Sequence, residues 1–185
     1  MTAWQFFSKP DRYCAPCGDL RCAVTGCDIS APAFMRGVTA LFVSDVHALP
    51  ATSDAAMTVL AEKAAALKPD LVLLGGDYSD KPGPAERLFE HLAAIPAPLG
   101  RFGVVGNNDR EAFPEIGRLR RIMSRAGFEL LINESRSLRL GGGRLIVAGL
   151  HEMDGGRVLV SKGIGASRLP LRIGVRPEVS IIRFE

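Results

Sequence analysis

Four consecutive apolar residues, Leu71-Val72-Leu73-Leu74, run without a polar break and stop at Gly75-Gly76-Asp77. A strand with one wetted face alternates apolar and polar residues. An unbroken run belongs to a strand covered on both faces, the usual state of a parallel sheet. The flanking segments fit that reading, because from residue 38 onward the chain repeats a strand-then-helix unit. TALFVS (39–44) and RFGVV (101–105) read as further strands, and FELLI (128–132) as a fourth. The fold class is therefore α/β, with a sheet that is at least partly parallel.

The intervening helices follow from periodicity and from their ends. Between Ser53 and Leu67, residues Ala56, Val59, Leu60, Ala64 and Leu67 share one face, with Ser53 as N-cap and Asp54 in the first turn. Pro84 suits the opening turn of a second helix, which buries Leu88, Phe89, Leu92 and Ile95 and closes at Pro96 and Pro98. Ile116, Leu119, Ile122, Met123 and Ala126 form a third stripe ending at Gly127. Beyond Asn133 the character changes. SLRL, three glycines (141–143) and RLIVAGL predict an antiparallel hairpin, and Asp154-Gly155-Gly156 predicts a second one before RVLVS. The closing EVSIIRF (178–184) alternates as a strand at a sheet edge or on a half-buried face.

A chain of 185 residues that is 47% hydrophobic can bury a real core as one domain. Its net charge of +3 is spread along the chain, so there is no footprint for a nucleic acid. No apolar stretch nears the roughly 18 residues of a membrane span, and the N-terminus lacks the basic-then-apolar order of a secretion signal. The expected compartment is the cytoplasm. Cys14, Cys17, Cys22 and Cys27 set residues 1–35 apart as a cysteine-containing segment with a first strand, RCAVTGCDI, ahead of the main domain at 36–185. Zinc, a disulfide and small apolar packing are all open to these cysteines. On a strand, however, Cys22 and Cys27 point to opposite faces, which works against one shared ion, and reduced thiols are the default.

Chemistry concentrates where the strands stop. FVS runs into Asp45-Val46-His47, LLGG into Asp77, and VVG into Asn107-Asn108-Asp109. Ligands of open α/β sheets bind at the C-terminal strand edge, so three such endings converge on one small volume. Asp45 and His47, two apart, face the same side of an extended segment. Oxygen plus imidazole suits manganese, iron or zinc better than calcium. Taken singly, each motif is more often a solvated turn. Their order and spacing shift the weight to a metal site.

SDVH, GGDY and GNND resemble the D-x-H, G-D and G-N-H-D/E blocks of the calcineurin-like metallophosphoesterases. The tail SKGIGASRLPLRIGVRPEVSIIRF is similar to the closing segment of a bacterial, YaeI-like subgroup of that family. The resemblance implies a β-sandwich flanked by helices and two divalent ions, about 4 Å apart, that activate a water for in-line attack on phosphorus. It assigns Asp45 and His47 to the first ion, Asp77 to the bridge and Asn107 to the second. It implies hydrolysis of phosphomonoesters or phosphodiesters.

Two departures bear on activity. Asn108 stands where the family has a histidine that supports the phosphate and can protonate the leaving oxygen, so Asn108 is the candidate catalytic position but no proton donor of that kind. The later metal histidines have no counterpart. His91 reads as a solvated helix position, and His151, in HEMDGG, lacks the second histidine and has its glycines one residue late. An internal segment at about 150–151 is expected to be missing, leaving the second half of the sandwich incomplete. Exposed sheet edges then make a homodimer an expectation. The alternative function is a shortened, impaired relative that binds metal or phosphate or serves as an interaction module, and one bound ion is the alternative to two.

Overall fold

The computed structural model describes residues 13–17, 20–148, 163–164 and 178–185. Its strands are β1 (Tyr13–Cys17), β2 (Leu20–Ile29), β3 (Thr39–Val43), β4 (Leu71–Leu74), β5 (Gly100–Gly103), β6 (Glu129–Leu130), β7 (Ser135–Leu140), β8 (Gly143–Ala148) and β9 (Glu178–Phe184). Four helices join them: α1 (Asp54–Ala66), α2 (Pro82–Leu92), α3 (Asn107–Ala112) and α4 (Ile116–Arg125). Seven strands make one sheet in the order β1-β2-β9-β3-β4-β5-β6, and β7 and β8 make a second, two-stranded sheet. Strands β3 to β6 are mutually parallel, connected through the helices. The expected α/β architecture is what the chain adopts.

Alternation explains why the strands look uniformly apolar. Leu41, Val43, Val72 and Leu74 face the helices and join Met57, Leu60, Leu88, Phe89, Leu119 and Met123 in the larger core. Ala40, Leu71, Phe102 and Ile182 point the other way, where Leu138, Leu145 and Val147 of the hairpin pack on them. Both faces are covered, as the run at 71–74 requires. The hairpin turns on Gly141-Gly142, with Leu140 opposite Gly143. It covers its side of the sheet incompletely. Between sheet and hairpin runs a groove of about 290 Å³ lined by Phe42, Leu73, Phe102, Leu145, Val147 and Phe184.

Helix starts follow their signals more closely than helix ends. Ser53 Oγ accepts from the Ala56 N–H at 3.2 Å, and Pro84 lies in the first turn of α2, which begins at Pro82 and ends at Leu92, short of Ile95. The stripe of α1 is centred one position on from expectation, at Met57, Leu60, Ala61 and Ala64. The strand expected at 128–132 pairs only at Glu129–Leu130, although Phe128 and Leu131 are buried.

Two expectations are corrected. EVSIIRF is no edge strand, because β9 lies inside the sheet, parallel to β2 and antiparallel to β3, with residues 178–182 buried. Its polar members mimic a wetted face, but Ser180 is small enough to be buried beside Ile182. His91 is not freely solvated: its Nδ1 lies 3.3 Å from Thr58 Oγ1 and its Nε2 3.7 Å from Asp54, between α1 and α2. His151, the hairpin around Asp154-Gly155-Gly156 and most of the tail lie outside the described residues.

Candidate metal centre

The loops leaving β3 and β4 are zipped together. Asp45 N–H donates to Gly76 O (3.0 Å), His47 N–H to Asp77 O (3.0 Å) and Ala48 N–H to Tyr78 O (2.8 Å). Ser79 completes the ladder through its hydroxyl, which donates to Ala48 O at 2.6 Å. These bonds continue the parallel pairing of the two strands past their ends, so residues 45–48 track 76–79 in register.

The third loop is tied in by one buried carboxylate. Asp109, fully buried, accepts the N–H groups of Asp77 (2.7 Å), Tyr78 (2.9 Å) and Gly106 (2.9 Å). Burial pushes its pKa up, and those three donors oppose the rise. Close approach demands glycine on both sides. A Cβ on Gly76, whose φ is +92°, would lie 2.5 Å from Gly106 N, and a Cβ on Gly106 would land on Asp77 Oδ1. Tyr78 adds a strut from the second loop to the third, its hydroxyl donating to Val104 O at 2.6 Å. Its ring meets Phe89 edge-to-face at 5.0 Å, and burial, followed by the charge of Asp109, raises the phenol well above its ordinary range.

Asp45, His47 and Asp77 thereby converge, each offering a ligand atom within 4.8 Å of the others. His47 Nε2 stands 4.0 Å from Asp45 Oδ1 and 3.9 Å from Asp77 Oδ2. Those gaps exceed a hydrogen bond and approach the span that two metal–ligand bonds of about 2.0–2.2 Å bridge. Backbone strain marks the same three residues, with φ of +52° at Asp45, +45° at His47 and +56° at Asp77. Such values are costly without a glycine and persist where the surroundings impose them, often at functional sites. The donor set, its burial and its spacing fit a divalent ion.

Of the remaining predicted residues, Asn108 is drawn onto Asp77: its backbone N–H donates to Oδ1 (2.9 Å) and its amide to Oδ2 (3.0 Å). Asn107 opens α3 and is exposed, between Gly106 and Asn108, which both contact Asp77. The tail also reaches the site. Ile164 N–H is shared between Ser44 O (3.1 Å) and Asp45 O (3.2 Å), and Gly163, at φ +68°, lies against the Asp45 side chain.

Beside Asp45, His47 and Asp77, Asp80 was not foreseen, and Asp109, read only as the last residue of its motif, was given no role. Asp80 Oδ1 lies 3.2 Å from His47 Nδ1, and Asp109 ties the loop after β5 to the loop after β4. Asp80, three residues after Asp77, was visible as one more acidic residue in a turn. Nothing local distinguishes it from a helix-leading carboxylate.

The profile of the family described as Calcineurin-like phosphoesterase matches residues 38–171. The chain belongs to that family. It is 34% identical over 79 residues to the UDP-2,3-diacylglucosamine pyrophosphatase LpxG of Chlamydia trachomatis, a match that spans 42% of this chain and 24% of LpxG. The LpxG of Chlamydia muridarum is 32% identical over the same length. The uncharacterized protein YpbG of Bacillus subtilis is 30% identical over 151 residues, 77% of this chain and 54% of YpbG. The matches thus span from about a quarter to about half of these relatives' lengths. Among the described residues, no helix is long and apolar enough to cross a membrane.

Proposed function

We propose that this chain is a divalent-metal-dependent hydrolase of phosphoric esters or anhydrides, with Asp45, His47, Asp77 and Asn107 as metal ligands and activated leaving groups preferred. The convergence of Asp45, His47 and Asp77 at the ends of adjoining parallel strands carries the reading. A bound divalent ion would offset phosphoryl charge and lower the pKa of a water toward about 7. The chain's own part is to hold the ligands. His47 is buried and Asp77 nearly so, whereas the Asp45 side chain is 48% exposed and leaves the site open on one side. Nothing in the donor set separates manganese from iron or zinc.

The substrate preference follows from Asn108. Its amide donates to Asp77, and an amide does not protonate a departing oxygen. The other imidazole among the described residues, His91, is engaged with Thr58 and Asp54. As water's oxygen bonds to phosphorus and the bond to the leaving oxygen breaks, no imidazole among the described residues is free to protonate that oxygen. Leaving groups stable as anions suit this best: aryl oxides, or the phosphate of a pyrophosphate. The name pyrophosphatase carried by the LpxG relatives agrees with that class.

Hydrolysis of aryl phosphodiesters of graded leaving-group acidity, with manganese, tests both parts. The expected result is metal-dependent turnover, lost in Asp77→Asn, with a rate that climbs steeply as the leaving group becomes more acidic. A wild type no faster than Asp77→Asn contradicts the enzyme, and a flat leaving-group dependence contradicts the preference for activated leaving groups.

A further inference from the structure

His47 has two ring nitrogens, and only one faces the ligand cluster. Nε2 is the atom near Asp45 and Asp77, at 4.0 and 3.9 Å, while Nδ1 points away to Asp80 Oδ1 at 3.2 Å. An imidazole that binds a metal through one nitrogen carries its proton on the other, and a neighbouring acceptor selects which. The acceptor here is built in. Because residues 45–48 run in register with 76–79, the residue after Ser79 falls beside the His47 ring. Ser79 fixes that turn once more, its hydroxyl oxygen accepting from Lys81 N–H (3.2 Å) just before α2 begins.

We infer that Asp80 is a positioning residue that pins the Nδ1–H tautomer of His47, so that the lone pair of Nε2 is aimed between Asp45 and Asp77 before any ion arrives. This rests on the proposed metal site. Its content is separate, because it concerns where a proton sits on His47 in the metal-free protein. Asp80 is placed for it energetically as well as geometrically. Its side chain is one-third exposed, so it accepts from a neutral imidazole without the cost of a buried lone charge. No other polar partner of Nδ1 stands among the described hydrogen bonds.

The test uses the full chain labelled with ¹⁵N at histidine, its metal removed with chelator, at alkaline pH where imidazole is neutral. The His47 signals are assigned by their loss in His47→Gln. Long-range ¹H–¹⁵N spectra distinguish a protonated from an unprotonated ring nitrogen. Wild type is expected to show His47 in one form, Nδ1–H, and Asp80→Ala a mixture of both. Manganese titrated calorimetrically should then bind Asp80→Ala about 10- to 100-fold more weakly. Asp80→Asn, whose carbonyl oxygen still accepts, should keep the tautomer and recover most of the affinity. If Asp80→Ala fails to fold, a shift of Asp80→Asn to mixed tautomers overturns the inference, and its retention of Nδ1–H supports it. Identical tautomers and equal manganese affinity in wild type and Asp80→Ala overturn it outright. Wild type that shows the Nδ1–H form but binds no manganese contradicts the metal site and leaves the tautomer assignment standing.

Discussion

Asn108 grips both carboxylate oxygens of Asp77, through its backbone N–H to Oδ1 at 2.9 Å and its side-chain amide to Oδ2 at 3.0 Å. The residue where the family has a histidine is thus turned toward Asp77, a proposed metal ligand. Each carboxylate oxygen keeps a further lone pair for an ion, so the grip orients Asp77 without using it up. Replacing Asn108 by Ala removes the amide bond and leaves the backbone one. Manganese affinity should fall about 10- to 100-fold, the usual effect of losing a ligand's supporting partner, with the melting temperature little changed. Calorimetric titration and a thermal melt check the pair of outcomes.

Gly106 tests whether the loops must touch. A Cβ there would overlap Asp77, and nothing flexible can move aside, because the obstructing atoms belong to the carboxylate and to the Asp77 backbone. Gly106→Ala should destabilise the chain by about 1–3 kcal/mol and weaken manganese binding together, since the same shift that relieves the overlap displaces Asp77. Urea unfolding in chelator isolates the first effect, and titration the second. Stability and affinity both at wild-type levels would contradict the packing.

Asp109 makes a prediction about pH. Burial raises its pKa in the folded chain, so between the unfolded value of about 3.9 and that higher folded value the native state holds more protons than the unfolded one. Its contribution to stability is therefore greatest at the acid end and diminishes as pH rises through the folded pKa. Asp109→Asn removes the titration and sets an NH₂ among three backbone donors, at a cost of about 1–3 kcal/mol near neutrality. Unfolding measured along a pH series in chelator should show the gap between wild type and Asp109→Asn widening as the solution is acidified across that window. A gap that narrows instead would reverse the sign.

How much of this was legible in the sequence depends on how local the cause is. The run at 71–74, the cap at Ser53 and Pro84 in the first turn of α2 act within a few residues, and they forecast that a strand and two helices form there. The convergence of Asp45, His47 and Asp77 was legible as well, because strand ends of a parallel sheet must meet at one edge. β9 was misplaced because sheet order is set by pairing with β2 and β3, more than a hundred residues earlier in the chain. The same holds for Asp80 and Asp109. Their partners, His47 and the backbone at 77–78, lie 31 to 33 residues away, and no spacing rule connects them. α3 escaped notice since six residues are too few for a periodic stripe.

The central claim is that Asp45, His47 and Asp77 form a working divalent-metal site, and calorimetric titration of the metal-free chain with manganese tests it most directly, run beside Asp77→Asn. Stoichiometric, saturable binding to wild type is expected, with at least a tenfold loss in the variant, whose amide lacks the carboxylate's charge. Failure of wild type to bind manganese, or equal binding by Asp77→Asn, would contradict it.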